Sequence, residues 1–304
     1  MKNKILLLLL VSFSSLFGQE VKVASGKIER IKNFKSKYVS ERNIDVWLPD
    51  NYSTKNSYAV LYMHDGQMLF DDTTTWNKQE WGVDEAIGSL INEGSIKDVI
   101  VVGIWNTSNR HAEYFPQKPF ENLNPEELEI VNQNLRENNR IENDLKPISD
   151  NYLKFIVTEL KPIIDSKYKT LKDKDNTFIA GSSMGGLISL YAICEYPEVF
   201  GAAACISTHW PGIFGMENNP VPQAFFTYLE SSLPDPNENR IYFDYGTATL
   251  DALYPPLQKK VDEIMLSNNF TTESWITLEF EGADHSESAW RERLIHPFTF
   301  LLRK

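Results

Sequence analysis

The chain has 304 residues, 42% of them hydrophobic and 24% charged, which is an ordinary globular composition with enough apolar residues for a sizeable core. Its formal net charge is −12. That surplus argues against nucleic acid or an anionic membrane surface as a partner, since both require a basic face.

The first residues, MKNKILLLLLVSFSSLFGQE, have two lysines, a short apolar run and then Gly18. This is the layout of a secretory signal peptide over residues 1–18, and it predicts an exported, periplasmic or extracellular protein with no membrane span after cleavage. No other stretch reaches membrane-spanning length. Beyond it, short β-type runs alternate with helical patterns. Strands are expected at 44–49, 58–64, 98–105, 176–181, 201–207, 240–246 and 274–282, and helices at about 80–93, 147–167, 184–195, 255–269 and 286–303. In the last helix Trp290, Leu294, Phe298 and Leu301 share a face. Several strands are apolar at every position, as in a parallel sheet covered on both sides. The alternation predicts an α/β fold, one domain over residues 19–304 with a mostly parallel central sheet. Residues 106–150, rich in Asn, Glu and Arg, interrupt the rhythm. They are expected to form an insertion with one polar helix, either lying over the strand ends or making a solvated excursion. Cys194 and Cys205 sit in apolar surroundings and are read as buried free thiols rather than a bridge.

The stretch FIAGSSMGG, residues 178–186, holds the pattern G-x-S-x-G from Gly181 to Gly185. A strand precedes it and a helix follows, the setting a nucleophile elbow requires. The turn must be sharp enough to strain Ser183 and push its hydroxyl off the sheet, so the flanking Gly181 and Gly185 must be small. The N–H of Met184, at the start of the helix, is then the natural first oxyanion donor. A serine hydroxyl needs a base, and in this arrangement the chain order is Ser, acid, His. His285, in a loop between the last strand and the last helix, fits the base; His296, inside that helix, fits a surface or packing role. Asp251 follows the strand RIYFDYG and is the favoured acid, with Asp244 at the strand end as its rival. Asp284 is expected to face solvent. The loop HDGQ after the early strand should supply the second oxyanion donor, the Gln67 N–H, with His64 and Asp65 bracing it.

HDGQMLFDD, RHAEYFP, GSSMGG, DYGTATLD and GADHSESAW together resemble the esterase family of α/β-hydrolases, which includes esterase D, feruloyl and acetylxylan esterases, siderophore-ester hydrolases and mycolyltransferases. The resemblance runs from about residue 40 to the C-terminus. It implies an α/β-hydrolase fold with Ser183 as nucleophile, His285 as base and Asp251 as acid, acting on carboxylic esters through an acyl-enzyme with no metal or organic cofactor. An acylated carbohydrate or similar small ester is the expected substrate. Trp210, His209 and Arg110 are expected at the substrate, the aromatics stacking on it or simply filling core and rim, and Arg110 meeting an anionic group or solvent. The same triad would also serve an acyltransferase, and a binding protein on this scaffold would lack the Ser or the His.

Overall fold

The computed structural model describes residues 21–304, so the expected signal peptide lies outside the described residues. Eight strands form one sheet: β1 (Lys27–Phe34), β2 (Arg42–Leu48), β3 (Ala59–His64), β4 (Val99–Ile104), β5 (Thr177–Ser182), β6 (Ala202–Ile206), β7 (Arg240–Gly246) and β8 (Trp275–Phe280). Their order across the sheet is β1-β2-β4-β3-β5-β6-β7-β8. β2 runs antiparallel to both its neighbours, and β3 to β8 are all parallel. The mostly parallel α/β sheet expected from the alternation is therefore present, and with it the α/β-hydrolase-type architecture that the resemblance implied. β1, half-exposed at the edge and rich in Lys, Arg and Glu, was not expected; its polar face gave it no apolar run to detect.

The helices are α1 (Val83–Asn92), α2 (Arg110–Tyr114), α3 (Gln117–Glu121), α4 (Pro125–Glu137), α5 (Ser149–Phe155), α6 (Lys161–Lys167), α7 (Met184–Glu195), α8 (Val221–Ser232), α9 (Pro255–Ser267), α10 (Glu287–Arg291) and α11 (Ile295–Leu301). A π-helical turn over Ile156–Leu160 joins α5 to α6, so the helix expected at 147–167 is one continuous rod. α8 escaped the sequence reading although Val221, Phe225, Phe226 and Leu229 form its buried face. The helix expected at 286–303 is two, α10 and α11.

The parallel strands send alternate residues into two apolar layers. Val60 and Tyr62 face the layer covered by α5, α7 and α8; Ala59, Leu61 and Met63 face the layer covered by α1 and α11. All of Met184 to Ile193 in α7 is buried, which is why that helix is apolar on every side.

Residues 106–150 carry three helices, α2 to α4, rather than one polar helix. Asn124 and Glu127 make a capping box at the start of α4. Its exposed face is the polar run seen in the sequence; Tyr114, Phe115, Leu123, Val131 and Leu135 of the same stretch join the core. Arg42 on β2 donates to both carboxylate oxygens of Glu113 on α2, at 2.9 and 2.6 Å, and the pair is almost wholly buried.

The two cysteines are free. Burial raises the pKa of both thiols, so neither is a ready thiolate.

Candidate active site

Strand order brings the site together. From β3 the chain moves to β4 on one side, and from β5 it moves to β6 on the other. The loops leaving the carboxyl ends of β3 and β5 therefore diverge, and a crevice opens between them. One loop is His64-Asp65-Gly66-Gln67; the other is the Ser183 turn.

Ser183 has φ 57° and ψ −121°, a strained conformation for a residue with a side chain. Its N–H donates to the Ile206 carbonyl at 2.9 Å, and its carbonyl accepts from Gly186 N–H at 3.0 Å and His209 N–H at 3.2 Å. The backbone is thus held on three sides, while Ser183 Oγ makes no hydrogen bond among the described residues. A catalytic hydroxyl commonly finds its closest partner only once substrate is bound. A Cβ at Gly181 would stand 2.8 Å from the Gly185 carbonyl carbon, so only glycine fits there. At Gly185 the nearest atom to an added Cβ is His64 Cβ at 3.5 Å, an ordinary contact. The sequence expectation that both positions must be glycine holds for the first on steric grounds only.

Asp251 and His285 come from different loops. The turn after β7 is laced to the turn after β8: Thr247 and Ala248 N–H donate to the Ala283 carbonyl, and His285 N–H donates to Thr249 Oγ1. Asp251 Oδ1 and His285 Nδ1 are then 2.5 Å apart. Asp251 Oδ2 accepts from Ser207 Oγ at 2.5 Å and Gly246 N–H at 2.7 Å. Burial alone would raise the Asp251 carboxyl, but the bond and charge of His285, with those from Ser207 and Gly246, hold it below its ordinary value. The His285 side chain retains 13% exposure, against none for Asp251. Asp244 is engaged elsewhere: Arg293 Nη2 donates to Oδ1 at 3.0 Å and the Tyr242 hydroxyl to Oδ2 at 2.9 Å. Asp284 and His296 lie at the surface, as expected.

Ser183 leads to His285 through three contacts. His209 N–H holds the Ser183 carbonyl, His209 Nδ1 meets the Tyr254 hydroxyl at 3.0 Å, and the Tyr254 ring stands edge-on to His285 with centroids 5.9 Å apart. Burial first, then the neighbouring His285, His111 and Arg110, push His209 down to about 3, so it is neutral. The Met184 and Gln67 N–H groups have no acceptor among the described residues. Gly66 lies so close to β4 that an added Cβ would meet the Gly103 carbonyl carbon at 2.4 Å; this packing fixes the Gln67 turn. Gln67 Oε1 accepts from Asn106 N–H at 3.1 Å. His64 and Asp65 do brace the loop, His64 Nδ1 against the Tyr152 hydroxyl at 2.9 Å and Asp65 against Arg110.

Two expected substrate contacts are differently placed. Arg110 is not free for a carboxylate: Nε and Nη2 each donate to Asp65 at 2.8 Å, and the guanidinium lies 4.9 Å over the Tyr114 ring. Trp210 is 1% exposed, with its N–H donated to Gln258 Oε1 at 2.9 Å, so it is core rather than rim. Of the other tryptophans near the strand ends, Trp81 is buried against Trp290, whereas Trp76 is 83% exposed. The sequence reading missed Ser207, Trp290 and Arg293, whose side chains gather behind Asp251. Nothing local marks Ser207, or Arg293 in the turn between α10 and α11, whereas Trp290 was visible only as part of the apolar face of the last helix. Among the described residues no group of three or more His, Cys, Asp or Glu is placed to hold a metal ion.

The chain belongs to the esterase family: the family model described as "Putative esterase" matches residues 36–301. It is thereby a carboxylic-ester hydrolase by family. It is 25% identical over 270 residues to the uncharacterized protein YbbA of Bacillus subtilis, covering 86% of this chain and 93% of that one. It is 24% identical to an endo-1,4-beta-xylanase/feruloyl esterase of Xylanibacter ruminicola, of which it spans only 30%. Among solved structures, the ferulic acid esterase AmCE1/Fae1A of Anaeromyces mucronatus superposes with TM-score 0.63 at 21% identity over 92% of both chains. The enterobactin esterase FES of Shigella flexneri gives TM-score 0.63 at 18% identity over 92% of this chain and 60% of that one. At these identities the superpositions establish the shared fold.

Proposed function

We propose that the protein is an exported esterase in which Ser183, His285 and Asp251 form the catalytic triad. The observation that carries this reading is the Asp251–His285 pair, assembled by two laced loops at the same sheet end as the strained Ser183. Asp251 accepts the Nδ1 proton of His285, which leaves Nε2 unprotonated. That nitrogen takes the Ser183 proton as Oγ attacks the ester carbonyl. The resulting oxyanion rests on the Met184 and Gln67 N–H groups, both unclaimed by the protein. The alcohol departs with the proton from His285, and water, activated by the same imidazole, releases the acid from Ser183.

Arg110 serves this site at one remove. By clamping Asp65 it holds the loop that presents Gln67. The relatives named as feruloyl or ferulic acid esterases support an ester of an aromatic acid, on a carbohydrate or similar carrier. His209 is 3% exposed and held by the Tyr254 hydroxyl, so, contrary to the sequence expectation, it backs the site rather than meeting the ester. The exposed Trp76 adjoins Asn77, which bonds Glu287 two residues past His285, and is the aromatic side chain available to meet it. Hydrolysis of p-nitrophenyl acetate and of a feruloylated sugar by residues 19–304, with Ser183→Ala alongside, tests the reading. The wild type should turn over both, and Ser183→Ala should lose at least about 10³-fold in kcat. Wild-type rates in Ser183→Ala would end it.

A further inference from the structure

Behind Asp251 lies a buried group of side chains that the triad does not account for. Ser207 follows β6, is fully buried and has φ 41°. Its N–H is donated to Asp244, to the carbonyl at 2.9 Å and to Oδ1 at 3.2 Å. Its hydroxyl has three partners: Arg293 Nη2 at 2.6 Å, Trp290 Nε1 at 3.1 Å and Asp251 Oδ2 at 2.5 Å.

Chemistry assigns the directions of these bonds. Arginine and indole N–H groups can only donate, and a hydroxyl has one proton and two lone pairs. The two donors occupy both lone pairs, so the single Ser207 proton must point at Asp251. Asp251 Oδ2 then receives two donors, Ser207 Oγ–H and Gly246 N–H, and only Oδ1 remains for His285. A second consequence concerns charge. Arg293 Nη2 is 3.9 Å from Asp251 Oδ2, with the Ser207 oxygen between them. Arg293 is 3% exposed at its side chain, and its Nε and Nη1 have no partner among the described residues. A buried guanidinium with spare donors is a strong competitor for a neighbouring carboxylate. The Trp290 ring also stands edge-on to His285, centroids 5.0 Å apart, so the residue that orients Ser207 also holds the imidazole plane.

We propose that Ser207 is a positioning residue for the reaction: its hydroxyl, polarised in one direction by Trp290 and Arg293, locks Asp251 toward His285 and keeps Arg293 from drawing that carboxylate away. The proposal rests on the Asp251–His285 pair being catalytic.

The test is Ser207→Gly, since glycine accepts φ 41° without strain and removes only the hydroxymethyl group. With p-nitrophenyl acetate, kcat should fall about 10²-fold, the cost of a misplaced catalytic group, while KM stays within about twofold. The far-downfield proton resonance of His285 Nδ1–H should vanish or move upfield in the folded variant, with far-UV circular dichroism unchanged. A folded Ser207→Gly with wild-type kcat and an unchanged resonance overturns the proposal alone, provided Ser183→Ala is inactive. Full activity in Ser183→Ala would overturn the site and this proposal together. Should Ser207→Gly not fold, Ser207→Ala takes its place with the same two readouts: a fall in kcat with a moved resonance supports the lock, and wild-type values for both overturn it.

Discussion

A methyl group at Gly181 would be driven into the backbone of Gly185, whereas a methyl group at Gly185 would meet only the side-chain carbon of His64 and the Asp65 carboxylate. The two glycines of the elbow are therefore unequal. Gly181→Ala should lower stability by about 2 kcal/mol or more and abolish hydrolysis, because the clash can be relieved only by moving the strand away from the helix. Gly185→Ala lies in the first turn of α7 and should change stability by less than about 1 kcal/mol, since reduced freedom of the unfolded chain offsets any local crowding. Urea denaturation of both variants checks the contrast; equal losses would show that the elbow has no such asymmetry. The pattern G-x-S-x-G was plain in the sequence, but which glycine is sterically required was not. That depends on how far β5 stands from α7, a distance no pentapeptide encodes.

At the level of elements, α2 is fastened to β2 by the Arg42–Glu113 pair, with Arg42 also lying 5.4 Å from the Tyr152 ring centroid and 5.3 Å from that of Phe155. Glu113→Ala leaves a guanidinium buried without its counterion, and should cost about 3–5 kcal/mol. The paired replacement Arg42→Met with Glu113→Leu should cost distinctly less, since it removes both charges and keeps the volume. Thermal unfolding of the two variants separates these outcomes; a pair replacement as damaging as the single one would mean that the charges themselves hold α2 in place. This link matters to the site because α2 also carries Arg110 and Tyr114, which hold Asp65 beside Gln67. In the sequence the same stretch reads as polar because its charged residues outnumber its apolar ones. The apolar ones lie scattered over three short helices, so no single periodic stripe reveals that they enter the core.

Across the whole molecule, buried imidazoles make stability depend on pH. Burial lowers His64 and His209 to about 3 and His111 to about 4, in each case as the leading cause. Below their ordinary value of 6.5 these three groups take up protons in the unfolded chain and not in the folded one, so stability falls with pH. Asp84 works in the opposite direction: burial, then neighbouring Glu85, raises it to about 7, so its protonation favours the folded state over the same interval. Asp244, Asp262 and Glu80, whose carboxyls burial also raises, act with Asp84, so stability should fall between pH 7 and pH 5 by less than the three histidines alone would give. Chemical denaturation at the two values measures it directly, and a flat profile would show that these histidines are not held neutral.

The sequence by itself determined the α/β class, the strand–turn–helix around Ser183, and the position of His285 after the last strand, because hydrophobic period and turn chemistry are written in neighbouring residues. Only the tertiary structure decided that Asp251 rather than Asp244 meets His285, that Arg110 is spent on Asp65, that Trp210 lies in the core, and that Ser207 stands between Arg293 and Asp251. Those outcomes depend on the order of strands in the sheet and the direction each loop takes from its end. They are set by packing between residues tens of positions apart, where the local pattern carries no information.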